Sequence, residues 1–374
     1  MPESLQQAPP EDVRVLLHAA PSWSEGGREL RAVQLMAMLG SGYRHVLYAH
    51  DACYDALRQV DPSVCWERID VDLSGGLGAR TRAMRETIGR HAPDALLTYN
   101  WGSIEWLLAA RRVGFGAVIH HEDGFGPDEV QRRLLRRNLA RRFLIRHVQA
   151  LVVPSEGLAS IARREWGAGE LLRYLPNGVD TERFQPAPQR AADGDVVFVC
   201  VGRLRPEKNQ RLAVAALARA ACRERARLVL VGDGPDEADL RAEIAALGVA
   251  DRVDLVGKVE DTAPHYRDAD VFLIPSNTEQ MPLSLLEAMA SGLAVAGTDV
   301  GDVRSMLAPE NRTSLVDVGD VDGLAQQMDA LARDPALRMA LGEANRERAV
   351  SEYDREACYG RYCELYARVS SGPR

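Results

Sequence analysis

Two acids stand eight positions apart in "SNTEQMPLSLLEAMASGLAV", which begins at Ser276 directly after the apolar run "DVFLIPS". Glu279 precedes Pro282, and Glu287 sits inside a run of leucine, methionine and alanine. Pro282 suits the first helical position and Gly292 the stop, so Leu283, Leu285, Leu286 and Met289 describe a helix buried on most sides. A carboxylate there needs hydrogen-bond donors, because burying an unpaired charge is prohibitive. No Lys or Arg lies within that helix. The donors come from elsewhere in the fold or from a ligand.

Three other stretches carry residue types suited to chemistry. In "CVGRLRPEKNQRLAVAAL" a strand ends at Gly202, and Arg203 and Lys208 follow at a spacing of five, ahead of a helix. Two cations flanking such a turn suit a diphosphate, the guanidinium as a fork and the ammonium as a point charge. A solvated basic turn reads equally well from these residues alone. In "APSWSEGGRELRAVQLMAML", Gly26 and Gly27 permit close backbone approach, and the following helix aims its first amides at an anion. An ordinary glycine turn fits that stretch too. In "IHHEDGFGPDE", His120 and His121 precede Glu122, Asp123 and Gly126 after another strand. Two histidines beside two acids raise a metal site, but the spacing lacks H-E-x-x-H, and no metal is expected.

These residues need strands and helices to hold them. Short apolar runs alternate with helical patterns, which predicts parallel sheets covered on both faces. The first series is "VRVLLHAA", "HVLYAHD", "ALLTYN", "GAVIHHE" and "ALVVPS". The second is "DVVFVCVG", "RLVLVGDG", "RVDLVGKV", "DVFLIPS" and "GLAVAGTD". Each reads as a doubly wound, Rossmann-like α/β domain, the first over 1–178 and the second over 179–350. Residues 351–374 read as a helix returning to the first domain, packed through Tyr353, Tyr359, Tyr362, Leu365 and Tyr366. "YLPNGVDTERFQPAPQRAADGD" reads as the linker and hinge. Ligands of such sheets bind beyond the carboxyl ends of the strands, here in a cleft that the two domains face.

A chain of 374 residues fits two domains of this size. The net charge of -8 argues against a dedicated nucleic-acid binder. No run reaches the length of a membrane span, and the first residues lack a signal-peptide core. The six cysteines show no C-x-x-C spacing and read as buried free thiols of a cytoplasmic protein. The glycine fingerprint of a dinucleotide site is missing.

Together "LPNGVDTERF", "VGRLRPEKN", "LVGDGP" and "ADVFLIPSNTEQMPLSLLEAMASGLAV" resemble the retaining glycosyltransferases of family GT4, which have the GT-B fold. The resemblance implies that Glu287 binds the ribose hydroxyls of a sugar nucleotide and that Glu279 lies beside the donor sugar. It makes Arg203 and Lys208 the diphosphate clamp and places Gly26 and Gly27 at the donor. It also puts a histidine near donor sugar and acceptor, His121 ahead of His120. Beside it, Glu122, Asp123 and Gly126 are expected to shape the acceptor pocket, with Asp123 as a base on the acceptor hydroxyl. Many members carry an aromatic residue and glycine where this chain has Met281 and Pro282. Proline lacks an amide hydrogen, so Met281 or Leu283 must contact the sugar instead.

The expected activity is retaining transfer of a sugar from a nucleotide-diphosphate sugar, UDP-linked ahead of GDP-mannose. The acceptor is a glycan or lipid-linked molecule of cell-surface polysaccharide or glycolipid synthesis, and no cofactor is needed. A GT-B UDP-sugar epimerase and a non-catalytic sugar-nucleotide-binding module are the alternatives. "QRRLLRRNLARRFLIRH" adds a last feature. As a helix it aligns Leu135, Leu139 and Phe143, with Arg133, Arg136, Arg137 and Arg141 roughly opposite. That basic face reads either as solvated or as meeting an anionic membrane surface or a lipid-linked pyrophosphate. The second reading places the protein peripherally on the inner face of a membrane.

Overall fold

The computed structural model describes residues 13–125, 129, 134–187 and 194–372. The chain forms two compact units, 1–175 with 359–374 and 176–358. In the first, β1 (Arg14–Ala20), α1 (Gly27–Leu39), β2 (Tyr43–Ala49), β3 (Cys65–Arg68), α2 (Leu77–His91) and β4 (Ala95–Tyr99) come in turn. Then follow α3 (Ile104–Arg112), β5 (Val118–His121), α4 (Leu135–Leu144), β6 (Ala150–Val153), α5 (Glu156–Ile161) and β7 (Leu172–Tyr174). The strands lie in the order β3-β2-β1-β4-β5-β6-β7, every pairing parallel.

The second unit contains β8 (Val196–Val201), α6 (Gln210–Arg219), β9 (Ala226–Val231), α7 (Glu237–Ala246), β10 (Val253–Gly257), α8 (Ala263–Arg267) and β11 (Val271–Ile274). After these come α9 (Leu283–Ala290), β12 (Ala294–Thr298), α10 (Val303–Met306), β13 (Leu315–Val316), α11 (Val321–Arg333) and α12 (Pro335–Glu352). Its parallel order is β10-β9-β8-β11-β12-β13. The last helix, α13 (Arg355–Ser370), starts in the second unit and belongs to the first from Tyr359.

Alternation along the strands explains why both faces of the second sheet are covered. On β8, Val196, Phe198 and Cys200 enter one apolar cluster, while Val199 enters the other, flanked by Val197 and Val201. On β11, Val271 and Leu273 face the first cluster and Phe272 and Ile274 the second. Strands buried on both faces read as continuous apolar runs. In each sheet the order reverses beside the first strand, so the loops after β1 and β4, and after β8 and β11, diverge there and leave room for a ligand.

All ten apolar runs named above are strands. β3, β7 and β13 were missed. Each pairs with only one neighbour at a sheet edge, and its residues are exposed or half-buried, so no apolar run marks it. The interdomain linker is also corrected over residues 176–187, which are built into the second unit. Val179 bridges to Asp354, Phe184 enters the core, and Arg346 donates to the carbonyls of Thr181 and Phe184. A Cβ on Gly178 would stand 2.7 Å from Arg355 Cα, so that glycine permits close backbone contact. Pro282 caps α9 rather than opening it.

Cys200 and Cys358 are buried, whereas Cys65 is exposed, contrary to the expectation for all six thiols. The glycines of "VGRLR" and "LVGDGP" bring two strand-end loops together. Gly232 has φ +139°, and a Cβ there would lie 2.1 Å from the Gly202 carbonyl oxygen. Gly232→Ala should therefore destabilise the chain by about 2–4 kcal/mol in a urea titration. Gly89→Ala, in the exposed side of α2 with open space at its Cβ, should instead stabilise it by roughly 0.5–1 kcal/mol.

Candidate active site

At the carboxyl ends of the second sheet, β8 leads into residues 202–209 and β11 into residues 275–282. The two loops are stitched together. Asn277 donates its backbone N–H to the Glu207 carbonyl (2.9 Å) and its side-chain amide to the Pro206 carbonyl (2.8 Å). Between them lies the ion pair Lys208 Nζ–Glu279 Oε1, 2.6 Å. Ser276 Oγ donates to the same carboxylate oxygen at 2.8 Å. Glu279 is buried, while Lys208 keeps access to solvent. Arg203 Nε is out of water with no hydrogen-bond partner among the described residues.

Glu287 points from α9 toward α8. The Tyr266 hydroxyl lies 2.8 Å from its Oε2. The side chain stays partly open to solvent, yet burial pushes its pKa up to about 7, against the pull of Tyr266 and Arg183. Its donors thus come from α8, short of what a full negative charge requires. Leu283 opens α9 and is half-buried. Met281 is a packing residue: its side chain is in the core, and Asn177 Nδ2 donates to its carbonyl at 2.8 Å.

At the carboxyl ends of the first sheet the expected histidines point inward. His121 is 1% exposed. Its Nδ1 lies 3.2 Å from the Thr98 carbonyl and its Nε2 2.8 Å from the Tyr366 hydroxyl. A carbonyl only accepts, so Nδ1 carries the proton and Nε2 accepts from tyrosine. Burial, reinforced by the Arg31 charge, holds the ring pKa well below the usual histidine value, so it is neutral at pH 7. Tyr99 stacks on it at 4.8 Å. Both ring nitrogens of His121, the histidine expected near donor sugar and acceptor, are thus engaged by the protein. His120 is likewise buried, with Nδ1 2.8 Å from Thr98 Oγ1.

Asp123 is better placed for chemistry. Its Oδ1 pairs with Arg31 at 2.6 Å, and its backbone N–H donates to Asn100 Oδ1 at 2.7 Å. Its Oδ2 is shielded from water and has no partner among the described residues. Gly26 precedes α1 in an extended conformation and Gly27 opens it, both exposed. Arg28, in the first turn of α1, lies over the Tyr99 ring and pairs with Glu29, while its Nη1 is buried without a partner among the described residues. Gly126 lies outside the described residues.

The arginine-rich helix faces the opposite way from the expectation. Arg141 is fully buried, bonded to Glu122 and Glu129, and surrounded by Trp101, Phe125 and Trp166 at 5.1–5.4 Å. Arg137 pairs with Glu129 at 3.1 Å. Neither side chain is a surface contact. Leu135, Leu139 and Phe143, expected on the inner face, are exposed. Two buried carboxylates require cations, and that demand decides which side of α4 turns inward. Arg136 is exposed, and Arg133 lies outside the described residues.

Arg28, Arg31, Tyr99, Tyr266, Ser276 and Tyr366 were not foreseen as site residues. Only Tyr366 had a signal, as a packing residue of the tail. Ser276 lies three residues before Glu279 in the same stretch, while Arg28, Arg31, Tyr99 and Tyr266 are brought in by topology. Among the described residues no group of three His, Cys, Asp or Glu side chains could hold a metal ion.

Two doubly wound parallel sheets, each in its own unit, are the architecture of the GT-B fold. Residues 181–348 match the family model for glycosyl transferases group 1, and residues 26–183 that for Glycosyltransferase Family 4. A GDP-mannose-dependent alpha-(1-6)-phosphatidylinositol monomannoside mannosyltransferase of Mycolicibacterium smegmatis is 31% identical over 311 residues, 75% of this chain and 78% of that one. A 2-deoxystreptamine glucosyltransferase of Streptomyces kanamyceticus is 29% identical over 72% of this chain and 75% of its own length. Among solved structures, Anabaena HepE in complex with UDP superposes with a TM-score of 0.80 at 19% identity, covering 94% of this chain and 99% of that chain. The chain belongs to the GT4 family of glycosyltransferases.

Two outcomes follow from the geometry. Arg141→Leu leaves Glu122 buried without its arginine and Glu129 with Arg137 alone, and should cost about 3–5 kcal/mol in urea unfolding, whereas Arg136→Gln should stay within about 0.5 kcal/mol. For Glu287 the folded pKa, about 7, lies above the ordinary value of 4.5. The acid is therefore tolerated below pH 4.5, and its cost grows as pH rises to 7 and is complete above it. Glu287→Gln should stabilise the chain by about 1–2 kcal/mol at pH 8, allowing for partial solvation, and leave it unchanged at pH 4. Thermal unfolding at the two pH values checks the sign.

Proposed function

We propose that this glycosyltransferase retains configuration as it moves a sugar from a nucleoside-diphosphate sugar to a glycan or lipid-linked acceptor. The observation that carries the reading is the loop after β8, where Arg203 Nε is buried without a partner among the described residues and Lys208 pairs with Glu279. A diphosphate supplies the missing acceptor for Arg203 and a second anion for Lys208. With those cations meeting its charge, the donor needs no divalent ion. UDP-sugars and GDP-mannose both suit the site, the latter in keeping with the name of the relative from Mycolicibacterium. The wider setting is cell-surface polysaccharide or glycolipid synthesis, on the cytoplasmic side where nucleotide sugars are made.

In this reading Glu287 accepts the two hydroxyls of the ribose, as an acid does in dinucleotide-binding folds. Glu279, oriented by Ser276, borders the donor sugar. Amides at the start of α9 meet sugar or phosphate oxygens, with Leu283 standing where Pro282 has no hydrogen to give. The bond between the anomeric carbon and the diphosphate oxygen breaks as positive charge grows on the sugar ring. The acceptor oxygen then bonds to the same face, and its proton passes to the departing phosphate. Asp123 Oδ2, shielded from water and without a partner among the described residues, is the carboxylate oxygen that orients the acceptor hydroxyl. His121 acts indirectly, by fixing the strand end that leads to Asp123.

Binding of the donor requires Glu287 ionised, so between pH 8 and pH 6 the wild type should lose about tenfold more affinity than Glu287→Gln does, the terminal phosphate of the nucleotide titrating equally in both. Arg203→Ala and Lys208→Ala should each weaken the nucleoside diphosphate by roughly 1.5–3 kcal/mol. Calorimetric titration with UDP and GDP reads both effects. Parallel pH profiles in the wild type and Glu287→Gln, or unchanged affinity in both cation variants, would remove this site.

A further inference from the structure

The exposed side of α4 has a composition that needs an explanation. Leu135, Leu139 and Phe143 are 73%, 58% and 51% exposed. At about 100° per residue they span roughly 80° of the helix surface, with Arg142 bordering one edge and Arg136 the other. Both arginines are exposed. Arg111, at the end of α3, lies over the Phe143 ring at 4.7 Å and extends the cationic border. The helix itself, "LRRNLARRFL", contains no acid. Large apolar side chains could have turned inward, but Arg137, Arg141 and Leu144 hold that side.

We propose that this outer face of α4 docks on an anionic lipid surface, with Leu135, Leu139 and Phe143 entering the headgroup boundary while Arg136, Arg142 and Arg111 meet lipid phosphates. An apolar stripe edged by cations is the pattern of a helix lying in a membrane interface. Among the described residues no helix is long and apolar enough to cross a membrane, so attachment of this kind is peripheral. The charge pattern selects the occupant. A second copy docking through the same face would set arginines against arginines, and three side chains fall well below the area that a stable protein interface buries. Lipid phosphates satisfy the arginines while acyl chains take the leucines. The net charge of the chain, -8, makes nonspecific attraction to an anionic surface elsewhere on the molecule weak, so binding should depend on this patch.

Arg141 gives the docking a structural consequence. The helix that presents the stripe outward is tied on its inner side to Glu122, immediately before Asp123, and to Glu129 beyond it. A helix anchored to lipid thereby restrains the loop that carries Asp123. The proposal does not depend on the transfer reaction, and vesicles test it without substrate.

The full chain is sedimented with vesicles of phosphatidylcholine alone and of phosphatidylcholine mixed with phosphatidylglycerol. The wild type should bind only the mixed vesicles and detach as salt is raised. Arg136→Gln with Arg142→Gln should weaken binding roughly twentyfold. Leu139→Gln with Phe143→Gln should weaken it about tenfold or more. All four positions are exposed, so circular dichroism and thermal unfolding should match the wild type. Failure of the wild type to bind mixed vesicles overturns the proposal, as does full binding by the leucine–phenylalanine variant. A concentration-dependent dimer that this variant abolishes, without vesicle binding, assigns the stripe to self-association and also overturns it. Stabilisation by UDP or GDP, measured separately, keeps this result apart from that for the nucleotide site.

Discussion

Five acidic side chains, Glu122, Asp123, Glu129, Glu279 and Glu287, are held wholly or largely out of water close to strand ends, and each must be supplied with donors. The two units meet that demand differently. In the first, arginines from α1 and α4 turn inward, so Arg31 holds Asp123 and Arg141 holds Glu122 and Glu129. In the second, Glu279 has Lys208 and Ser276, while Glu287 has only neutral and distant help and drifts toward protonation. Ion pairs of this depth add little net stability over apolar packing, but losing one partner is costly. They therefore fix geometry: the loop after β5, the orientation of α4 and the mouth of the second sheet.

The same demand accounts for the reversed face of α4. Periodicity correctly marks a helix there, and apolar residues at intervals of four ordinarily mark its buried side. That inference treats the neighbouring surface as hydrophobic. Here the surface beneath contains two carboxylates within an aromatic enclosure, and an arginine satisfies both, pairing with the acids and stacking against Trp101, Phe125 and Trp166. Nothing local to the helix reveals this, because Glu122 lies 19 residues before Arg141.

Interior strands, the two-unit plan and the placing of Arg203, Lys208 and Glu279 in loops at strand ends of the second unit were legible because they depend on short-range patterns. Apolar runs bounded by glycine mark strands buried on both faces, and Arg203, Lys208 and Glu279 each sit in a compact motif at a strand end. Edge strands such as Cys65–Arg68 need only one partner and can be polar. The residues 176–187 read as linker because Pro, Gly and Asp mark irregular backbone. Irregular backbone still packs when side chains such as Phe184 and Asn177 reach a core or a carbonyl. The surroundings of His121 were beyond sequence reading for another reason: Tyr366, which binds its Nε2, is 245 residues away.

Unpaired buried polar atoms are rare in folded proteins, and their positions are therefore informative. Among the described residues, Arg28 Nη1 and Asp123 Oδ2 of the first unit and Arg203 Nε of the second have no partner, as do Arg80 Nε and Arg348 Nε elsewhere in the chain. A protein selected only for stability would pair or remove these groups, since each unmade bond costs about 1–3 kcal/mol. Donors and acceptors kept dry but unspent are ready to bind without first surrendering a partner. The contrast between the two glutamates follows the same logic. Glu279 is already oriented by Lys208 and Ser276, which suits a group that must be in place before its neighbour arrives. Glu287, whose pKa burial pushes up to about 7, has too few donors around it for a full negative charge.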